Sequence, residues 1–188
     1  MRTFNSLIVL SVLLIGSIIY PDLLNPSSKA SQSSQTDAES LPSLPASALS
    51  SQLKTINGKD FKLSELKDKV LLINLWATWV GPSRYEIPGL VKIQSEYRER
   101  GLEVIGLDVD PDSDTKQDVQ GFIKKFKINY KVAFAERLLA TSLMEGGNIP
   151  QSLVVSRDGK IIKHFIGFSS TRTPTLMRQA IEQALAIR

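Results

Sequence analysis

The stretch that decides the fold is LWATWVGPSRYEIP, Leu75 to Pro88. It is the exit of a continuous apolar run, Val70 to Trp76, of the kind shown by a strand covered on both faces. Two tryptophans, Trp76 and Trp79, and then Gly81-Pro82 lead into a helical pattern. A helix is expected from about Ser83 to Arg100, with Ile87, Leu90, Val91 and Tyr97 as its inward stripe. Pro88 removes a donor from the interior of that helix and is expected to kink it. A strand that runs into a helix N-terminus presents whatever follows it to the positive end of the helix dipole. Yet Val80 and Ser83, which flank Gly81-Pro82, bring no reactive group. Valine has no ionisable atom, and serine at a helix start reads as an N-cap.

Working outward, LEVIGLDV is a second buried strand, so strand, helix and strand form a right-handed parallel crossover. The helix TKQDVQGFIKKFK follows, then a short strand near Lys131–Ala135 and a helix near Glu136–Met144. QSLVVSRDGKIIKHFIGF is a hairpin turning at Asp158-Gly159. The last helix opens with Thr173 as N-cap and Pro174 in the first helical position, with Leu176, Met177, Ala180, Ile181, Ala184 and Leu185 as its apolar face. Upstream, LKTINGKDFKL alternates about Asn57-Gly58, a second hairpin signal, and LSELKDK has the length of one helical turn. Residues 51–188 therefore read as one α/β domain.

Before it lie two segments of different composition. Residues 1–24 hold Arg2 and an apolar run from Leu7 to Tyr20. That run spans about 21 Å as a helix, against a hydrocarbon core of about 30 Å. It reads as a signal peptide, with Ser28-Lys29-Ala30 as a small-x-small cleavage site, or as an uncleaved anchor extended by Leu23 and Leu24. Either reading implies export to the cell envelope, with the membrane as a partner if the segment stays. Residues 25–50, rich in Ser, Pro, Ala and Gln, read as a flexible linker.

Composition excludes several chemistries. The 188 residues contain no cysteine and one histidine, His164. Disulfides, thiolate metal sites, thiol catalysis and an acylated cysteine are excluded, and a zinc site has too few ligands. A net charge of +4 is modest and its lysines are scattered, with Lys124, Lys125 and Lys127 on one solvated helix side, so no nucleic-acid partner is expected. Asp108, Asp110, Asp112 and Asp114 alternate like the start of an EF-hand loop. Ser113 and Val119 stand where that loop needs Gly and Glu, so the stretch reads as a strand-to-helix loop with Asp114 near the cap.

The order hairpin, strand–helix–strand, helix, hairpin, helix resembles a thioredoxin fold: a central mixed sheet flanked by helices, here with an N-terminal β-hairpin extension. GKDFKLSELKDKVLLINLWATW, GPSRYEIPGL, IPQS and RDGKI recur in the order found in the TlpA/ResA-type membrane-tethered thiol–disulfide oxidoreductases, the redoxins. The resemblance covers Ser51 to Arg188. It implies that Val80 and Ser83 occupy the positions of the two active-site cysteines, and that Glu86 is the buried acid that helps set their pKa. A thiolate belongs there because a helix N-terminus stabilises it. The resemblance also implies a cis Ile149–Pro150 bond beside the helix, with Trp79, Gly81, Pro82, Ile149 and Pro150 contacting an extended partner chain, and Trp76 more buried than Trp79. Exported proteins or peptides are the implied partners, apocytochromes c among them, with no cofactor and a monomeric state. As written the chain should not exchange disulfides, whether as a redox-inactive relative or as an active parent with its cysteines replaced. A non-catalytic peptide-binding module near Trp79 and Pro150 is the alternative.

Overall fold

The computed structural model describes residues 41–187. The expectations for residues 1–24, and for the linker up to residue 40, lie outside the described residues. Seven strands form one sheet: β1 Gln52–Thr55, β2 Phe61–Lys62, β3 Val70–Trp76, β4 Leu102–Asp108, β5 Lys131–Phe134, β6 Gln151–Val155 and β7 Ile161–Ile166. Five helices accompany them: α1 Ala46–Ser50, α2 Gly81–Tyr97, α3 Lys116–Phe126, α4 Arg137–Leu143 and α5 Thr173–Ala186. The strand order is β2-β1-β5-β4-β3-β6-β7. Strands β3, β4 and β5 are parallel, and β6 and β1 run against them, with β7 antiparallel to β6. This is the mixed sheet of the thioredoxin fold, with the β1–β2 hairpin as its extension.

Strand β3 lies inside the sheet, between β4 and β6, and every residue of it is buried. Successive side chains of a strand point to opposite faces. Leu71, Ile73 and Leu75 join a core with Ala48 of α1 and Leu139 and Leu143 of α4. Val70, Leu72 and Trp76 join a second core with Ile87, Leu90 and Ile93 of α2, Phe122 of α3 and Ile181 of α5. Each such side chain contributes on the order of 1.5–3 kcal/mol on removal from water. On the α2 face, position 74 carries asparagine, and that exception in the apolar run becomes important at the site.

Two expectations are corrected, the start of the folded unit and the cap of α5. The folded unit starts before Ser51, because Leu44 and Ala48 are buried and α1 packs against α4. The segment is also tied to the second hairpin, since Leu44 N donates to Gly159 O and Ile161 N to Pro42 O. Its average composition is that of a linker, but Leu44 just before α1 and Ala48 within it both reach the core. Helix α2 runs from Gly81 to Tyr97 and a 3₁₀ turn at Arg98–Arg100 follows, within two residues of the expected span, with Pro88 inside the helix. Arg172, not Thr173, holds the N-cap position of α5, while the Thr173 hydroxyl accepts from Ser169 N. At α3 the cap is Thr115, in a reciprocal capping box with Asp118, and Asp114 is used elsewhere.

Gly106 on β4 sits where space is tight. A Cβ there would lie 3.0 Å from Trp76 Nε1 and 3.1 Å from the Tyr130 ring. The two aromatic side chains thus close over the strand, and a side chain at position 106 would have to push one of them aside by a few tenths of an ångström.

Candidate functional site

The loop Ala77–Val80 joins β3 to α2, and side chains from the β4–α3 segment hold it. Thr78 N donates to Asp114 Oδ2 at 2.7 Å, and the Thr78 hydroxyl donates to the other carboxylate oxygen. Trp79 Nε1 donates to Asp110 Oδ2 at 3.0 Å, and Arg84 Nε donates to Thr78 O at 2.7 Å. The run of aspartates is therefore a scaffold for the loop. Among the described residues no group of acids and histidine has the arrangement of a metal site. Asp108 lies beneath this scaffold, fully buried, accepting from Asp110 N while its Oδ2 has no partner. Burial, reinforced by Asp114, pushes its carboxyl up to about 8, against the opposing bond from Asp110 N.

Val80 is the N-cap residue of α2, 8% exposed, and supplies no capping bond. Gly81 and Pro82 open the helix, with Pro in a position where no amide donor is missed. Ser83 follows inside the first turn. The expected N-cap role for Ser83 is overturned: it is fully buried, and its Oγ has no hydrogen-bond partner. A buried hydroxyl without a partner costs on the order of 1–3 kcal/mol, a penalty a less polar side chain would avoid. Only the three-dimensional helix start reveals this, since a serine after Gly-Pro is indistinguishable in sequence from a cap.

Glu86, one turn further on, is 2% exposed. Its Oε2 accepts from Asn74 Nδ2 at 3.0 Å and its Oε1 from Ser152 Oγ at 3.0 Å, while Asn74 Nδ2 also reaches Ser152 Oγ at 3.0 Å. Burial raises its carboxyl to about 7, although both hydrogen bonds favour the charged form. Asn74 and Ser152 were missed by the reading of sequence. The available signal was the lone polar residue inside VLLINLW, at a strand position facing α2.

Ser152 lies two residues after Pro150, so the Glu86 triangle joins the α2 turn to the second loop of the site. The Ile149–Pro150 bond is cis, as the resemblance implied. Gln151, buried, accepts from Glu145 N and donates to Glu145 O and Asn148 O, which ties the loop 145–150 to itself. His164 contacts Gln151 Oε1 at 2.9 Å and Glu145 Oε1 at 3.2 Å, a fastening of the same loop. Pro150 O accepts from Gly167 N at 2.8 Å. The next residue, Phe168, lines a cavity of about 410 Å³ together with Pro82, Tyr85 and Ser170. The structure thus joins Pro82, Glu86 and Pro150 through Phe168 and Ser152. Trp76 is fully buried and Trp79 is 59% exposed.

This arrangement is a helix N-terminus carrying Gly-Pro, a buried acid one turn below it and a cis-proline loop alongside. A redoxin family model matches residues 37–185. The chain belongs to the redoxin family. Its curated relatives include a thiol-disulfide oxidoreductase ResA of Bacillus cereus, 31% identical over 112 residues, or 60% of this chain. The match spans 63% of that relative's length, less than two thirds. Among solved structures, a thiol:disulfide interchange protein of the thioredoxin family from Chlorobium tepidum TLS is 29% identical, with a TM-score of 0.65 over 77% of this redoxin and 98% of that chain. A second Chlorobium tepidum structure, described as a thiol:disulfide interchange protein DsbE, shares the fold at a TM-score of 0.68 and 24% identity, covering 79% of this redoxin and 99% of that chain. The redoxin scaffold is therefore intact in a chain without cysteine.

Proposed function

We propose that this redoxin works outside the cytoplasm and performs no thiol–disulfide turnover. The observation that carries the reading is the pair Val80 and Ser83 at the two ends of Gly81-Pro82, in a site whose acid, loop and helix are otherwise in place. No other side chain here replaces a thiolate. Ser83 Oγ is buried, and the one histidine is bonded to Gln151 and Glu145 on the hairpin side of the loop. Extracytoplasmic placement is supported by the apolar run Leu7–Tyr20 and by the thiol-disulfide relatives. No helix among the described residues is long and apolar enough to cross a membrane. In a dithiothreitol-driven insulin reduction assay the purified chain is expected to give the rate of dithiothreitol alone. A protein-dependent rate overturns the reading.

A second reading, peptide docking without chemistry, is favoured by Tyr85, 76% exposed, which lines one cavity with Pro82 and Phe168, and by the exposed Trp79 at the same helix start. Grouped exposed apolar side chains mark interaction surfaces. Extended apolar peptides are the expected class of partner. Fluorescence anisotropy of a labelled Leu/Phe-rich decapeptide is expected to saturate with the wild-type chain and to weaken about tenfold in Tyr85→Ala. Equal binding by both proteins removes this reading.

A further inference from the structure

A second cavity, about 360 Å³, lies at the other end of α2 from Gly81-Pro82. The helix has 17 residues, so the two places are about 25 Å apart. Five elements build its wall: the β1–β2 turn, the 3₁₀ turn after α2, the start of β4, the end of α3 and the start of β5. It lies within the size range of small-molecule sites, and like them combines apolar wall with a few convergent polar groups.

Charge decides what fits. Lys59, Arg98 and Lys131 line the cavity against one acid, Glu103, and Glu103 already pairs with Lys131. Two cations remain without a carboxylate partner among the described residues. Arg98 is also held in place, because its Nη2 donates to Asn129 O at 2.6 Å. Asn129 in turn is pinned, its Nδ2 donating to Ser95 Oγ at 2.8 Å and to Val91 O at 3.3 Å. A guanidinium fixed at one corner keeps its other donors for a planar or tetrahedral anion, with little side-chain freedom left to lose on binding. Between the charges, Tyr130, Ile123 and Ile128 supply aromatic and apolar wall.

We propose that this cavity binds a small anionic ligand, a carboxylate or phosphate carrying an apolar or aromatic group, with Arg98 and Lys59 holding the anion and Tyr130 the apolar part. Tyr130 also connects the cavity to the site described above. Its ring reaches the Gly106–Trp76 contact, and its buried hydroxyl is held well above the usual phenol range by burial and then by the charge of Glu86.

The test is an amide NMR titration of the full chain at constant ionic strength with phenyl phosphate, phenylacetate and inorganic phosphate as separate probes. Saturable shifts are expected at residues 57–59, 98 and 129–131, and Arg98→Gln is expected to weaken binding by about tenfold or more. Lys59→Ala is the second variant. Lys59 is exposed and has no ion pair among the described residues, so its loss leaves the fold alone while weakening the anion contact. Binding of phenyl phosphate alone assigns a phosphate ligand, and of phenylacetate alone a carboxylate. Inorganic phosphate binding as tightly as phenyl phosphate removes the aromatic part of the proposal. Absence of saturation with every probe, or equal binding by wild type and both variants, overturns the site. None of these outcomes touches the redox reading, which rests on different residues.

Discussion

Replacing Val80 and Ser83 together by cysteine is expected to turn an inert chain into a catalyst of dithiothreitol-driven insulin reduction. The two positions are three apart in the first turn of α2, where side-chain Cβ atoms lie about 5–6 Å apart, a spacing that modest adjustment brings within reach of a disulfide. A sulfur at position 80 sits at the N-cap, where free backbone donors and the helix dipole favour the thiolate. A sulfur at position 83 is buried, as suits a resolving thiol that is released only after attack at the first. The single change Ser83→Cys separates the structural part of this argument from the chemical part. The Ser83 hydroxyl is buried without a partner, so a thiol there is expected to stabilise the fold by about 1 kcal/mol, read as a higher melting temperature, with no insulin reduction. A folded double variant that forms no disulfide and reduces no insulin would sink the assignment of these positions.

The second large effect is a loss of stability as pH rises through neutrality. Glu86 has its folded-state carboxyl raised from 4.5 to about 7, and burial is the main cause. A raised folded value means that the folded state holds the proton more tightly than the unfolded chain. The resulting stability is fully present below about pH 4.5 and is lost as pH climbs through 7. A shift of this size corresponds to about 3 kcal/mol between those limits. Asp108, raised to about 8, acts in the same direction over a range extending further into the alkaline side. The melting temperature is therefore expected to fall between pH 5 and pH 8.5. Glu86→Gln, which cannot ionise, is expected to flatten the part of that slope below pH 7.5 and to exceed the wild type in stability at pH 8. Parallel slopes for the two proteins would show that Glu86 is not the titrating group.

Both predictions depend on how the parts of the site come together, and these were unevenly visible in the chain. Trp76 and Gly81-Pro82 were legible as a buried strand and a helix opening, while the parts played by Glu86 and Pro150 were legible only through the resemblance of the motifs around them to the redoxins. The Asn74–Glu86–Ser152 triangle was not. Its members come from β3, α2 and β6, separated by 12 and 66 residues in sequence, and only the antiparallel register of β3 with β6 brings Asn74 opposite Ser152. The aspartates after β4 show the same limit. Their alternation was readable, but their use as acceptors for Thr78 and Trp79 depends on the β4–α3 segment folding over the end of β3.

By itself the sequence determined the thioredoxin fold, the order of its strands and helices, the absence of thiol chemistry and the place where that chemistry would stand. The element order follows from periodicity and turn residues, which are properties of neighbours along the chain, and the missing thiols from composition. The thioredoxin fold and the place of the chemistry follow from the resemblance of GPSRYEIPGL, IPQS and RDGKI to the redoxins. The tertiary structure alone decided that the folded unit reaches back to Leu44, that Ser83 is an unpartnered buried hydroxyl and not a cap, and that Glu86 is held near neutrality. Burial decides each of these. Whether a side chain meets water or protein is set by elements distant in sequence, and with it the cost of a bare hydroxyl or a buried charge.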